Sequence, residues 1–91
     1  MKVSGNVLWG DEREISDLIK LGSAEGPLDQ KVFSCGTLIR NATKIVFYQA
    51  EHYARKHNYD VAAGVGLGYD PTGNHHATLD VKFYRLKDTH A

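Results

Sequence analysis

The turn Asp70-Pro71-Thr72-Gly73 and the alternation around it constrain the fold of this chain more than any other segment. Asp, Pro and Gly at its first, second and fourth positions are typical of a type I turn closed by a glycine bulge. Counting outward from this turn pairs apolar residues on one face: Leu67 with Ala77, Val65 with Leu79, Ala63 with Val81 and Val61 with Phe83. Turn chemistry and alternation therefore predict an antiparallel hairpin of strands 60–69 and 75–86.

The other face of this predicted hairpin presents a row of glycines: Gly64, Gly66 and Gly68. The same count places three polar residues opposite them: Asp80, Thr78 and His76. Glycine weakens a strand and often marks the close approach of another group. The pattern fits either a solvent-exposed face or a groove that receives another chain or a flat ligand.

The N-terminal segment, residues 2–9, predicts a strand. Val3, Val7 and Trp9 fall on one side of the alternation, with polar residues on the other. This period of two is typical of a half-buried strand.

A short helix is expected next, over residues 12–21. Asp11 and Glu14 have the spacing of a capping box, and Gly22 is a suitable residue to end the helix. The following segment, GSAEGPLDQ at 22–30, predicts a surface loop because it is rich in glycine and polar residues.

Residues 31–36 are ambiguous, since VFSC fits either a short strand or the entry to a helix. From 37 to 57 the pattern is helical, and the apolar stripe consists of Leu38, Ile39, Ala42, Ile45, Val46, Ala50 and Tyr53. The charged residues, Glu51 among them, fall on the opposite face. Phe47 and Tyr48 lie outside the stripe and flank that polar face.

Together these segments predict an α+β fold in a single domain, residues 1–91. The sheet is expected to be antiparallel, with three strands, or four if residues 31–36 join it. The long helix is expected to pack on one face of the sheet, and the short helix to follow the first strand.

Composition excludes several classes of protein. Lys+Arg and Asp+Glu are both 11, so the chain lacks the basic surplus of a nucleic-acid binder. No apolar run is long enough for a membrane span, and no signal peptide is evident. Cys35 is the sole cysteine, so no internal disulfide can form, and a cytoplasmic location is expected.

The histidines and the cysteine are the residues that could carry chemistry. His75 and His76 are neighbours on a predicted strand, so their side chains point to opposite faces and cannot grip one metal ion. No spacing typical of a metal site occurs, and we expect neither a metal nor a cofactor. Cys35 precedes the long helix, where a thiol is either a reactive nucleophile or a small buried hydrophobe.

Two sets of residues are candidates for contact with a partner. The ligand-binding set lies beside the apolar stripe of the long helix and on the glycine face: Tyr53, Gln49, His57, His76 and Thr78. The interface set combines the glycine row with the two aromatic residues outside the stripe: Gly64, Gly66, Gly68, Phe47 and Tyr48.

Residues 45–86 resemble the helix followed by a β-hairpin in dodecins and in the YbjQ-like small oligomeric proteins. The likeness rests on Tyr59-Asp60-Val61 after the helix and on HHATLDVKFYRL at the end. The helix at 12–21 has no counterpart in a dodecin, and Asn58 does not match the flavin-stacking tryptophan of that family. The resemblance implies a shared topology and assembly through the sheets.

The leading hypothesis is a small soluble homo-oligomeric module, a dimer, that binds a small molecule or a protein partner. The alternative is a small dimeric α+β enzyme that uses His76 with Asp80, or Cys35, at a cleft. A binder needs a pocket lined by aromatic and aliphatic groups. An enzyme needs a histidine or cysteine within hydrogen-bond reach of a carboxylate.

Overall fold

The computed structural model describes residues 1–35, 42–69 and 77–87. The elements are β1 (Lys2–Ser4), β2 (Val7–Trp9), α1 (Glu12–Lys20), β3 (Ala24–Cys35), α2 (Ala42–Lys56), β4 (Val61–Tyr69) and β5 (Ala77–Leu86). The α+β prediction is confirmed, but the sheet is mixed and five-stranded, with the order β1-β2-β4-β5-β3. The expected all-antiparallel sheet of three or four strands is corrected by the parallel pairing of β2 with β4.

The predicted strand 2–9 is in fact a small hairpin. Gly5 and Asn6 have φ of 59° and 63°, which turns the chain back so that β1 pairs antiparallel with β2. Two central residues with positive φ are the mark of the tightest hairpin turns. The single-face prediction is therefore wrong: Val7 is buried, whereas Val3 on the other arm is 69% exposed.

Helix α1 begins and ends where its sequence signals place it. The Asp11 side chain accepts a hydrogen bond from the Glu14 backbone N–H at 2.8 Å, and the Glu14 side chain accepts one from the Asp11 N–H. At the other end Gly22 has φ of 75°, and the N–H groups of Gly22 and Ser23 donate to carbonyls of the last helical turn. This is the Schellman arrangement.

The predicted loop 22–30 is wrong, because Ala24–Cys35 forms one long strand paired antiparallel with β5. The pairing is irregular between Glu25 and Asp29, a stretch that includes Pro27. The loop-like composition of residues 22–30 reflects this irregular part of the strand. The ambiguous segment is resolved as strand for residues 31–35, while Gly36 lies outside the described residues.

The two helices cover different parts of the sheet on opposite faces. Helix α2 buries a stripe of small residues on one face: Ala42, Val46, Ala50 and Ala54. Opposite them lie Val7, Phe33, Leu79, Val81 and Phe83. Helix α1 covers only one end of the other face, where Ile15 packs on Val61, Ala63 and Tyr84. Neither helix among the described residues is long and apolar enough to cross a membrane.

The register between β4 and β5 differs from the prediction. Leu67 pairs with Leu79 and Gly66 with Asp80, two residues away from the expected partners. A bulge between Gly64 and Gly66 then shifts the register by one, so that Gly64 pairs with Val81. Because a one-residue shift moves side chains to the other face, Gly64 lies on the α2 face and the predicted row of three glycines is broken. The connecting turn at 70–76 lies outside the described residues.

The capping box of α1 gives a first prediction. We expect Asp11→Ala to lower the free energy of unfolding by about 1 kcal/mol, because the Glu14 N–H then loses its acceptor. Urea denaturation of both proteins measures this difference. Asp17→Ala is the matched control, since Asp17 is exposed in the same helix and caps nothing. Equal losses in the two variants would contradict a specific role for the cap.

Candidate ligand-binding cleft

The small-residue stripe of α2 places larger side chains on both flanks of the helix. On the flank that faces β1 and β2, Phe47 and Glu51 lie one helical turn apart. On the flank that faces β3, Tyr53 contacts Phe33 with ring centroids 5.6 Å apart. The two flanks carry two distinct polar arrangements.

A cleft of about 320 Å³ lies between α2 and the β1–β2 hairpin. Its lining consists of Lys2, Ser4, Trp9, Phe47 and Glu51. Trp9 and Phe47 form an edge-to-face pair with centroids 5.1 Å apart, which gives the cleft an aromatic wall. A smaller hollow of about 150 Å³ shares Ser4, Phe47 and Glu51 with it and adds Lys44 and Tyr48.

Glu51 is the only buried charged residue among those described, at 5% exposure. Its carboxylate takes part in no hydrogen bond or ion pair with any of the described residues. A buried carboxylate is costly unless something compensates its charge. The prediction that Glu51 lies on the polar face opposite the apolar stripe is therefore wrong, and the cleft contains a carboxylate that accepts no hydrogen bond from the described residues.

Gly5 and Arg55 hold the β1–β2 turn against this carboxylate. Arg55 Nη1 donates to the Gly5 carbonyl oxygen at 3.1 Å. A Cβ atom on Gly5 would lie 2.5 Å from Glu51 Oε2, and the φ of 59° also disfavours other residues. The turn thus approaches Glu51 as closely as a glycine permits, and the Arg55 guanidinium adds positive charge nearby.

Trp9 brings to the same region the one fully buried side-chain nitrogen or oxygen atom that lacks a partner among the described residues. Its Nε1 is buried and has no acceptor in the part of the chain that the structure describes. Buried polar atoms without partners are rare in folded proteins, and each needs an explanation. One cleft is therefore lined by the Glu51 carboxylate and by a tryptophan whose buried N–H has no acceptor among the described residues.

The other flank of α2 holds a cluster of Tyr53, Tyr59, His57, Asp29 and Lys31. Both phenols donate to Asp29 Oδ2, with the Tyr59 bond at 3.2 Å. The His57 ring lies 4.4 Å from Tyr53 and 5.8 Å from Tyr59. Lys31 Nζ lies 4.5 Å from the centre of the Tyr53 ring. The cluster ties β3 to the C-terminal half of α2.

The shared carboxylate shifts the titration of its partners. The hydrogen bond to Asp29 raises the pKa of Tyr53 to about 12, and burial followed by the same carboxylate raises the pKa of Tyr59. The Tyr53 hydroxyl in turn lowers the pKa of Asp29. The hydroxyls of Tyr53 and Tyr59 and the carboxylate of Asp29 satisfy one another, and we call this arrangement the clasp because it joins β3 to α2.

The predicted ligand-binding set is only partly brought together. Tyr53 and His57 are in contact, and Gln49 lies one turn before Tyr53 on the exposed side of α2. Thr78 lies on the opposite face of the sheet, where it pairs with Gly68 and Ser34. His76 lies outside the described residues.

The predicted interface set is also divided between surfaces. Phe47 and Tyr48 line the small hollow beside the cleft, with Tyr48 59% exposed. Gly66 and Gly68 remain on the open face of the sheet, opposite Asp80 and Thr78. Gly64 has moved to the α2 face.

The residues of the enzyme alternative occupy separate places. Asp80 accepts hydrogen bonds from Gln30 Nε2 at 3.0 and 3.2 Å on the open face. Cys35 is buried in the core under α2, whereas reactive cysteines are partly exposed. Within residues 1–35, 42–69 and 77–87, no three histidine, cysteine, aspartate or glutamate side chains cluster as a metal site would require.

Sequence reasoning missed Trp9, Glu51 and Asp29 as members of polar sites. The position of Phe47 outside the apolar stripe was the signal for the cleft, because an aromatic residue there needs a neighbour to cover it. That neighbour is Trp9, 38 positions earlier in the chain, and no local pattern links the two.

The clasp gives a second prediction. One tyrosine is expected to titrate at about pH 12 in an ultraviolet absorbance titration, and Tyr53→Phe should remove it. Asp29→Asn should lower that pKa toward the ordinary value of about 10, because the negative charge is gone. Since the folded-state pKa is raised, the stability from this bond is complete below about pH 10 and is lost as the pH rises toward 12.

Asp17→Asn is the control for the loss of an aspartate charge, because Asp17 lies on α1 and is exposed. It should leave the high-pH step unchanged. A titration in which Asp29→Asn and Asp17→Asn behave alike would show that the clasp does not hold Tyr53 in its neutral form.

No protein-family model, curated protein sequence or solved structure matches this chain. The residues of the cleft and their charges are therefore the basis for assigning it a function.

Proposed function

We propose that the chain is a small-molecule binding module whose site is the cleft between α2 and the β1–β2 hairpin. The ligand class that fits is an amino-acid-like zwitterion with an apolar side chain. One observation carries the proposal: Glu51 is a buried carboxylate in an aromatic-walled cleft and has no partner among the described residues.

The ammonium group of such a ligand supplies what Glu51 lacks. A hydrogen bond between an ammonium and a carboxylate is worth more than a neutral one, about 1.5–3 kcal/mol. Binding would give the Glu51 carboxylate a charged partner at a position where the side chain has little access to water. The carboxylate therefore favours ligands with a positively charged donor over neutral ligands.

The lysines at the rim favour a ligand that also carries a negative group. Lys2 lines the cleft, Lys44 lines the adjoining hollow, and Arg55 lies beyond the Gly5 turn. A simple cation would meet these three positive charges. A zwitterion instead places its ammonium near Glu51 and its carboxylate toward the lysines.

The aromatic wall selects for an apolar body. Trp9 and Phe47 present ring surface to the cleft, and burial of apolar area contributes about 25 cal/mol per Å². The volume of about 320 Å³ is at the lower end of the range for small-molecule sites. These dimensions suit a single amino acid better than a peptide or a nucleotide.

Trp9 makes the binding test direct, because it is the only tryptophan in the chain. Free L-phenylalanine and L-leucine are expected to change its fluorescence in a saturable manner. Phenethylamine, which lacks the carboxylate, and N-acetyl-L-phenylalanine, which lacks the ammonium, should each bind more weakly. Calorimetric titration of the same compounds checks the affinities independently.

Glu51→Gln tests the role of the carboxylate. This substitution keeps the shape of the side chain and removes its charge, so the affinity for L-phenylalanine should fall about 10- to 100-fold. Glu25→Gln is the matched control, because Glu25 lies on β3 and does not line the cleft. Equal affinity for L-phenylalanine and its N-acetyl derivative, or unchanged affinity in Glu51→Gln, would contradict the proposal.

A further inference from the structure

The strand order of the sheet leaves β3 at one edge and β1 at the other. Strand β1 has three residues, whereas β3 has twelve. No strand among the described residues pairs with the outer side of β3. A long edge strand exposes a row of backbone N–H and C=O groups, which can pair with another strand.

The second half of β3 lacks the features that usually block such pairing. The irregularity and the proline are confined to the stretch between Glu25 and Asp29. From Gln30 to Cys35 the pairing with β5 is regular and contains no proline. Proteins often protect edge strands with bulges, prolines or charged side chains. Residues 30–35 have neither of the first two.

The single charge in this segment does not protect the edge either. The side chain of Lys31 folds back over α2, with its Nζ 4.5 Å from the centre of the Tyr53 ring. On the open face of the sheet, Val32 is 59% exposed at the middle of the segment, between Gln30 and Ser34. The edge therefore presents a β-branched apolar residue with polar residues on either side.

We propose that β3 pairs with β3 of a second copy, antiparallel over residues 29–35, to form one continuous sheet. The two-fold axis passes through Val32, so that Val32 lies opposite Val32 of the partner subunit. The same register sets Gln30 opposite Ser34 and Lys31 opposite Phe33 across the seam. No like charges then face each other, and the zero net charge of the chain adds no overall repulsion.

This register is preferred to its neighbours on physical grounds. Residues opposite each other across an antiparallel seam must lie on the same face of the sheet, which allows only even shifts. A two-fold axis at Lys31 would place two ammonium-bearing side chains opposite each other. The pairing with β5 is regular over the seven residues from Asp29 to Cys35, whose centre is Val32, so an axis at Phe33 would align only five of them. The axis at Val32 keeps the two lysines apart and pairs the largest number of regular residues.

The size of the seam sets the expected affinity. The seven residues from Asp29 to Cys35 span about 23 Å of strand. The exposed side of α2, with Gln49 and Tyr53, lies beside the seam and adds flanking contact. The area buried by one strand pair and these flanking contacts is smaller than that of a standard interface, which is about 800 Å² per partner. We therefore expect a reversible dimer with a dissociation constant in the micromolar range or weaker, in which both ligand clefts stay accessible at the far edges.

Sedimentation over a concentration series from micromolar to millimolar tests the dimer. Val32→Lys and Val32→Glu should each raise the dissociation constant about tenfold or more, because like charges then face each other across the axis. An equimolar mixture of the two variants should form a heterodimer, since the two-fold places residue 32 opposite itself. If the two variants had failed to associate because they were unfolded, mixing them would not restore association. Recovery in the mixture therefore excludes that explanation.

Val3→Lys is the matched control, because Val3 is an exposed valine on the other edge strand. It should dimerise as the original chain does. A protein that stays monomeric at millimolar concentration overturns the proposal. So does a dimer that survives Val32→Lys but is lost in Gly66→Lys or Phe47→Glu, because the contact would then be the open sheet face or the flank of α2.

Discussion

The close packing of α2 against the sheet is the constraint on which the rest of the structure depends. Ala42, Ala50 and Ala54 recur with Val46 at intervals of four, so the helix presents a narrow stripe of small side chains to the core. Small residues let a helix approach its partner closely. Any large side chain on this helix must then lie to one side of the stripe, over the outer strands. On one flank Phe47 and Glu51 line the cleft, and on the other flank Tyr53 forms part of the clasp.

The sequence predicted those parts of the fold that depend on local signals. The capping box at Asp11, the Gly22 stop and the amphipathic helix all form as expected, since each rests on residues three or four apart. The register of β4 and β5 was wrong for two reasons. The pairs nearest the turn, such as Leu67 with Leu79, already differ by two residues from the count. The count also assumed an unbroken ladder. A bulge between Gly64 and Gly66 breaks it, and glycines are where strands tolerate bulges.

The first part of β3, residues 24–30, was missed for a different physical reason. As an edge strand it has polar residues on much of its length, and the irregularity near Pro27 resembles a loop in composition. Asp29 and Lys31 do face α2, but their partners are the two phenols and the Tyr53 ring rather than apolar groups. Hydrophobic alternation cannot reveal a strand whose inward side chains are polar. The candidate cleft could not be predicted either, because Trp9 and Glu51 are far apart in the sequence and come together only in the folded structure.

The two proposed contacts lie at opposite edges of the sheet and use opposite flanks of the same helix. Phe47 and Glu51 face the β1–β2 hairpin, whereas Tyr53 and Asp29 face the β3 seam. No side chain belongs to both sites, so a ligand in the cleft can influence the proposed dimer only indirectly, through α2 or through the sheet that joins β2 to β3. The clasp resists a shift of α2, because the two phenols of Tyr53 and Tyr59 hold the carboxylate of Asp29 on the dimer-forming strand. Ligand binding and self-association are therefore expected to be nearly independent. Any coupling through α2 would use the contacts that Asp29, Lys31 and Phe33 make with Tyr53.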